Sequence, residues 1–128
     1  MAEPKIHRLG DLQLQIMKVL WAKGEATVAE VYETLAGGCE LAYTTVATML
    51  RKMEGRGLLK HHLEGRSFVY RAVIGAEAVT RGMADHLLDR LFEGSLPDLV
   101  HHLLSNREVS REELSKLEKL IVERKKAR

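Results

Sequence analysis

The chain has 128 residues, of which 45% are hydrophobic and 30% charged, fractions typical of a globular protein and not of a disordered chain. Its formal net charge of +2 is too small to establish a polyanionic partner, so the distribution of charge matters more than its total. The single cysteine, Cys39, excludes an internal disulfide and a cysteine-rich zinc site. Without a secretory signal or an apolar run long enough to span a membrane, the sequence predicts a cytoplasmic protein.

Three helices are predicted in the first part of the chain. Apolar residues spaced three and four positions apart indicate a helix over residues 9–21, which Gly24 ends. Thr27 and Glu30 form a Thr-x-x-Glu capping box at the start of a second, short helix. A third helix follows, and its predicted buried face carries Val46, Met49, Leu50 and Met53.

The periodicity then changes from helical to alternating and back again. Residues 58–63 and 67–72 are β-compatible runs on either side of Gly65, which predicts a hairpin with glycine at the turn. The helical pattern returns over residues 76–92, and two further helices are predicted to begin after Ser95 and Ser110.

This order of elements predicts a mostly α fold with a small β-hairpin wing. A winged helix-turn-helix over residues 1–73 is expected to bind DNA, and a three-helix region over residues 74–128 is expected to follow it as a dimerisation domain. The third helix is expected to enter the major groove, with the hairpin beside it as the wing.

The outer face of the third helix begins with small hydroxyl and methyl side chains, which suit base edges, phosphates and thymine methyl groups. Between Arg51 and Arg71 there are six basic and two acidic residues, a local charge of 6 − 2 = +4 that suits a phosphate backbone. The predicted DNA-binding residues are Tyr43, Thr44, Thr45, Ala47, Thr48, Arg51, Lys52 and Arg66. The alternative is a solvated basic face in which the threonines only start the helix.

The helices after residue 73 are expected to pair two copies of the chain. Three amphipathic helices over about 50 residues form too small a core to stand alone comfortably, and a second copy would bury their remaining apolar faces. The predicted dimerisation residues are Met83, Leu87, Leu91, Leu99, Leu103, Leu114, Leu117 and Ile121. The alternative is that these helices pack onto the winged helix of their own chain.

Several segments together resemble the penicillinase-repressor family of bacterial regulators, in register from about Leu9 to Arg124. The segments are Leu9-Gly10-Asp11-Leu12, Ile16-Met17-Lys18-Val19-Leu20-Trp21, Thr44-Thr45-Val46-Ala47-Thr48-Met49-Leu50, Gly57-Leu58-Leu59 and Glu64-Gly65-Arg66-Ser67-Phe68-Val69-Tyr70. The resemblance implies a homodimeric repressor of inverted-repeat operators. It also implies control of a resistance or stress-response gene, with repression relieved by proteolysis or another signal.

The resemblance also bears on individual positions. Ala47 stands where some members carry a long basic side chain, and Ala42-Tyr43 replaces a common Ser-Pro helix start. In antibiotic-responsive members, a membrane sensor protease system leads to cleavage at an Asn-Phe bond in the dimerisation region. The matching pair here is His102-Leu103, the candidate cleavage position. Copper-responsive members carry a cysteine cluster near the C-terminus, which this chain lacks.

Other classes of function have less support in the sequence. No nucleophile elbow, phosphate loop or paired metal motif is present, so we expect no enzyme and no cofactor. His86, His101 and His102 lack the i, i+4 spacing of a helical clamp, and no metal site is predicted. The alternative function is a winged-helix module that only contacts proteins, but such modules usually lack a basic wing residue such as Arg66.

Overall fold

The computed structural model describes residues 9–37 and 40–127, so Cys39 lies outside the described residues. The helices are α1 Asp11–Lys23, α2 Val28–Ala36, α3 Tyr43–Gly55, α4 Ala76–Phe92, α5 Leu96–Ser105 and α6 Arg111–Lys126, and the strands are β1 Ala26–Thr27, β2 Leu59–Glu64 and β3 Ser67–Ala72. This confirms the predicted fold class, mostly helical with a small β-hairpin wing. None of the described helices combines the length and apolarity needed to cross a membrane.

Side-chain caps begin several helices as the sequence predicts. At α2 the hydroxyl of Thr27 accepts a hydrogen bond from the backbone N–H of Glu30 at 3.1 Å, and the Glu30 carboxylate accepts from the Thr27 N–H at 2.8 Å. This reciprocal pair satisfies two of the N–H groups that a helix start leaves without partners. The hydroxyls of Ser95 and Ser110 likewise cap α5 and α6, since they accept hydrogen bonds from the backbone N–H groups of Asp98 and Glu113.

The sheet has three strands in the order β1-β3-β2, both pairs antiparallel. Gly65 takes a φ of 60° at the turn between β2 and β3, a conformation that glycine adopts without steric cost. The two-residue strand β1 was not predicted, because two residues are too few to show an alternating pattern. It pairs Ala26 with Tyr70 and Thr27 with Val69, and so fastens the wing to the connection between α1 and α2.

A mainly aliphatic core joins α1, α2, α3, the first part of α4 and the sheet. Its fully buried side chains are Tyr70, Ile16, Met17, Leu20, Leu50, Met53, Leu58, Leu59, Val31, Val46 and Val79. Burial of one such aliphatic side chain stabilises a fold by about 1.5–3 kcal/mol. Trp21 adds a directional contact, since its Nε1 donates to the backbone oxygen of Ile74 at 2.9 Å. The core therefore fixes α3 and the wing in one body.

The chain divides between His86 and Leu87 into two compact units. No side chain within residues 87–127 is buried, although the stretch holds ten exposed large hydrophobic residues. Among the eight predicted dimerisation residues, Met83 packs against the core of the first unit and Leu99 is half-buried. The other six are exposed: Leu87, Leu91, Leu103, Leu114, Leu117 and Ile121.

Candidate nucleic-acid interface

Helix α3 has a buried face and an outer face, as its periodicity predicts. Val46, Leu50 and Met53 point inward and are fully buried. The outer positions at the predicted interface are exposed, and Ala47 between them is half-buried. The exposed residues are Tyr43, Thr44, Thr45, Thr48, Arg51, Lys52 and, on the wing turn, Arg66.

The start of α3 has no side-chain cap. Ala42 occupies the cap position, where its backbone oxygen accepts from the N–H groups of Thr45 and Val46 at 3.1 and 3.3 Å. The ring of Tyr43 is instead held by Tyr32 of α2 in an edge contact, with ring centroids 5.6 Å apart. The first turn of α3 thus places the positive end of the helix dipole on an exposed surface.

The outer face of α3 is shaped by its threonines. Thr44, Thr45, Thr48 and Lys52 line a shallow concavity of about 280 Å³ together with Met49. These side chains supply hydroxyls, methyl groups and a cation within three turns of helix. That mixture suits both base edges and phosphate oxygens.

Arg51 lies on the same side of α3 as the threonine hydroxyls. Its guanidinium donates to the Thr48 hydroxyl at 3.4 Å. A phosphate oxygen that approached this side would therefore meet a cation and a hydroxyl together.

A second hollow lies between the start of α2, the start of α3 and the wing turn. It has a volume of about 240 Å³ and is lined by Thr27, Val28, Ala29, Tyr43, Arg66, Ser67 and Phe68. The structure therefore brings Tyr43 and Arg66, predicted from separate motifs, to one surface. Arg66 is one of the two turn residues between β2 and β3, so its guanidinium stands at the wing tip.

A contact between α3 and the wing was not predicted from the sequence. The Nδ1 atom of His61 on β2 lies 2.7 Å from each carboxylate oxygen of Glu54 on α3. The His61 ring also stacks on Phe68 of β3, with centroids 4.2 Å apart and planes 16° apart. The one feature of the sequence that points to this contact is weak: a polar histidine on the strand face shared with Phe68 and Tyr70.

The buried Tyr70 phenol lies next to this contact, and its pKa depends on its surroundings. Burial raises the pKa of the Tyr70 phenol, the charge of Glu54 raises it further, and Arg51 acts in the opposite direction. Tyr70 therefore stays neutral and buried on β3, on the strand face that also carries His61. On the other flank of α3, Gln13 of α1 donates to the Met49 sulfur at 3.3 Å and accepts from Arg56 at 3.4 Å.

Comparison with known proteins identifies the family of the chain. The family model described as "Penicillinase repressor" matches residues 9–123. The penicillinase repressor of Bacillus licheniformis is 32% identical over 121 residues, which cover 94% of each chain. The transcriptional regulator BlaI of Mycobacterium tuberculosis is 34% identical over 102 residues, 78% of this chain and 74% of that one.

The solved structure of a DNA-binding domain resembles part of the chain. The solution structure of the DNA-binding domain of the repressor BlaI is 36% identical, with a TM-score of 0.51. The match covers 56% of this chain and 88% of that domain. The likeness supports a winged-helix fold for the region that holds α3 and the wing.

Proposed function

This chain belongs to the penicillinase repressor family of transcriptional repressors, and we propose that it binds inverted-repeat DNA operators as a homodimer. One observation carries the proposal. The outer face of α3 holds three exposed threonines and two exposed cations, and the wing turn holds Arg66 on the same unit. A helix about 10–12 Å across, with short side chains on its outer face, fits the B-DNA major groove of about 12 Å.

Base contacts are assigned to the first turns of α3. Thr44, Thr45 and Thr48 offer hydroxyls to base edges, while Ala47 offers a methyl group to thymine. Since Ala47 is half-buried and its side chain is only a methyl group, it can contact a base only where the helix itself lies close to the DNA. Short side chains at these positions let the backbone of α3 lie deep in the groove.

Phosphate contacts are assigned to the flanks of that helix. Arg51 and Lys52 lie on α3, Arg66 stands at the wing tip, and Tyr43 lines the same hollow as Arg66. Each cation that neutralises a phosphate releases a counterion, so binding should weaken steeply as salt increases. These contacts set the register of the protein on DNA and carry no sequence preference of their own.

The region after residue 73 is assigned to dimerisation. The absence of any buried side chain within residues 87–127, together with ten exposed large hydrophobic residues, supports a second copy as the missing half of this core. A symmetric pair would place two α3 helices on half-sites about 34 Å apart or a multiple of it.

Induction is proposed to follow the pattern of the resistance regulators in the family. The repressor would act in the cytoplasm on a resistance or stress-response gene, and a membrane sensor protease system or another signal would release it. His102 and Leu103 lie inside helix α5, on an exposed surface. A protease would need to unwind part of α5 to cut between them, so cleavage should depend on local unfolding of that helix.

Binding-site selection from random duplexes, followed by gel-shift titration, tests the proposal. Thr45→Ala and Arg66→Ala should each weaken binding about 5- to 30-fold, as expected for loss of about 1–2 kcal/mol. Thr80→Ala and Arg81→Ala change matched exposed residues on α4 and should bind as the unchanged protein does. If no duplex is selected, or if the α3 and wing variants bind with unchanged affinity, the proposal fails.

A further inference from the structure

Three metal-ligating side chains from separate parts of the chain meet on the outer face of the sheet. They are Glu25, in the connection before β1, and His62 and Glu64 on β2. One ligand atom from each lies within 4.8 Å of the others. His62 Nε2 is 3.2 Å from a Glu64 carboxylate oxygen and 3.6 Å from one of Glu25.

The sheet itself brings these residues together. Thr27 of β1 and His62 of β2 are both paired with Val69 of the central strand, so the two outer strands are held in fixed register. Because side chains alternate along a strand, His62 and Glu64 project from the same face. The sequence predicts no metal site at these positions, because Glu25 approaches β2 only through the pairing of β1 with β3, and β1 was not predicted.

A hydrogen bond alone accounts poorly for this arrangement. The Nε2 atom of a histidine carries at most one hydrogen, yet it faces two carboxylates here. When that hydrogen is absent, a lone pair faces two negative oxygens. The three side chains are also 46%, 51% and 65% exposed for His62, Glu25 and Glu64, and surface ion pairs of this kind contribute little to stability.

We propose that Glu25, His62 and Glu64 bind one Zn²⁺ ion, with water in the remaining position. Zinc sites take imidazole nitrogen and carboxylate oxygen at about 2.0–2.2 Å, which puts neighbouring ligand atoms of a tetrahedron about 3.3–3.5 Å apart. The distances of 3.2 and 3.6 Å from His62 Nε2 lie on either side of that separation. The mixed nitrogen and oxygen set favours a transition metal over Mg²⁺ or Ca²⁺, which prefer oxygen alone.

Neighbouring charges set the strength of this site. The register places Lys60 opposite Arg71, and alternation puts both on the face that carries His62. Their positive charges oppose a cation, so the site is weaker than a buried structural zinc site. Lys60→Gln should accordingly tighten zinc binding.

Zinc at this position would act on the wing. The ion would tie β2 to the connection before β1 and cancel two carboxylate charges next to the turn that holds Arg66. If the chain binds DNA as proposed above, zinc should increase its affinity, because the wing would become stiffer and less repulsive to phosphates. This consequence rests on the proposed function, whereas the zinc site does not.

Calorimetric titration of the full chain with Zn²⁺ tests the site directly. We expect one ion per chain, with affinity reduced about tenfold or more in His62→Ala. His61→Ala is the matched control, since the adjacent histidine faces the opposite side of β2 and should leave zinc binding unchanged. Equal affinity of His62→Ala and the unchanged protein, or no binding by the unchanged protein, overturns the site.

Gel-shift titrations with and without Zn²⁺ distinguish the zinc site itself from its proposed effect on DNA affinity. Zinc should strengthen binding of a selected duplex several-fold in the unchanged protein and not in Glu25→Gln. If zinc binds but leaves DNA affinity unchanged, the regulatory consequence is wrong and the site stands. If no duplex binds at all, the proposed function fails while the calorimetric result still decides the site.

Discussion

At the scale of single residues, short side chains and nearby cations define the proposed interface. Thr45 and Thr48 expose a hydroxyl and a methyl group each, and Arg51 contacts the Thr48 hydroxyl at 3.4 Å. These groups could be selected from the sequence because helical periodicity alone separates them from Val46 and Leu50 in the core. The partners of His61 could not, because its contact with Glu54 depends on how the wing folds back onto α3.

The Glu54–His61 contact should couple the recognition helix to the wing. A double-mutant cycle with Glu54→Gln and His61→Ala, measured by urea unfolding at neutral pH, should give a coupling energy of about 0.2–1 kcal/mol. The magnitude stays small because both side chains are about one third exposed. Leu63→Ala, on the same strand face but at the exposed tip, serves as the control and should show no coupling with Glu54→Gln. Additive effects of the Glu54 and His61 changes would contradict the contact.

At the scale of elements, local signals predicted the helices well and the smallest strand not at all. The hairpin followed from alternation around Gly65, and the helix starts at Thr27, Ser95 and Ser110 followed from capping residues. These features depend on neighbours a few residues away. Strand β1 depends on its pairing with β3, which is distant in sequence, and two residues are too few to indicate that pairing. The Glu25–His62 approach was missed for the same reason.

The capping box of α2 should make folding stability depend on acidic pH. Hydrogen bonds from the backbone N–H and hydroxyl of Thr27 hold the pKa of Glu30 below its usual value. A carboxyl group whose pKa is lowered by folding contributes stability above its unfolded pKa of about 4.3, and loses it as the pH falls through the folded value. Stability of Glu30→Gln should therefore fall less between neutral and acidic pH, as measured by urea unfolding at several pH values.

A glutamate of α2 that lies outside the capping box provides the control for that experiment. Glu33→Gln alters an exposed residue on the same helix, and its pH profile should follow that of the unchanged protein. Equal profiles for Glu30→Gln and Glu33→Gln would contradict a special role for the cap.

At the scale of the whole molecule, the two units differ in how complete they are. The first has a core that joins three helices, the first part of α4 and a sheet, while residues 87–127 bury no side chain within one chain. Amphipathic periodicity in the sequence predicted the apolar residues of this second region. It could not specify their partner, because periodicity describes one face of a helix and not what covers it.

Methylation-protection footprinting of a selected operator is the decisive experiment for paired binding by α3, because it detects guanine N7 in the major groove. The full chain should protect two symmetric patches separated by one or more helical turns of about 10 base pairs. Leu117→Asp should abolish the paired pattern at the same protein concentration, since it places a charge on the exposed apolar face of α6. A single patch that Leu117→Asp leaves intact, or no major-groove protection by a bound complex, would contradict the account.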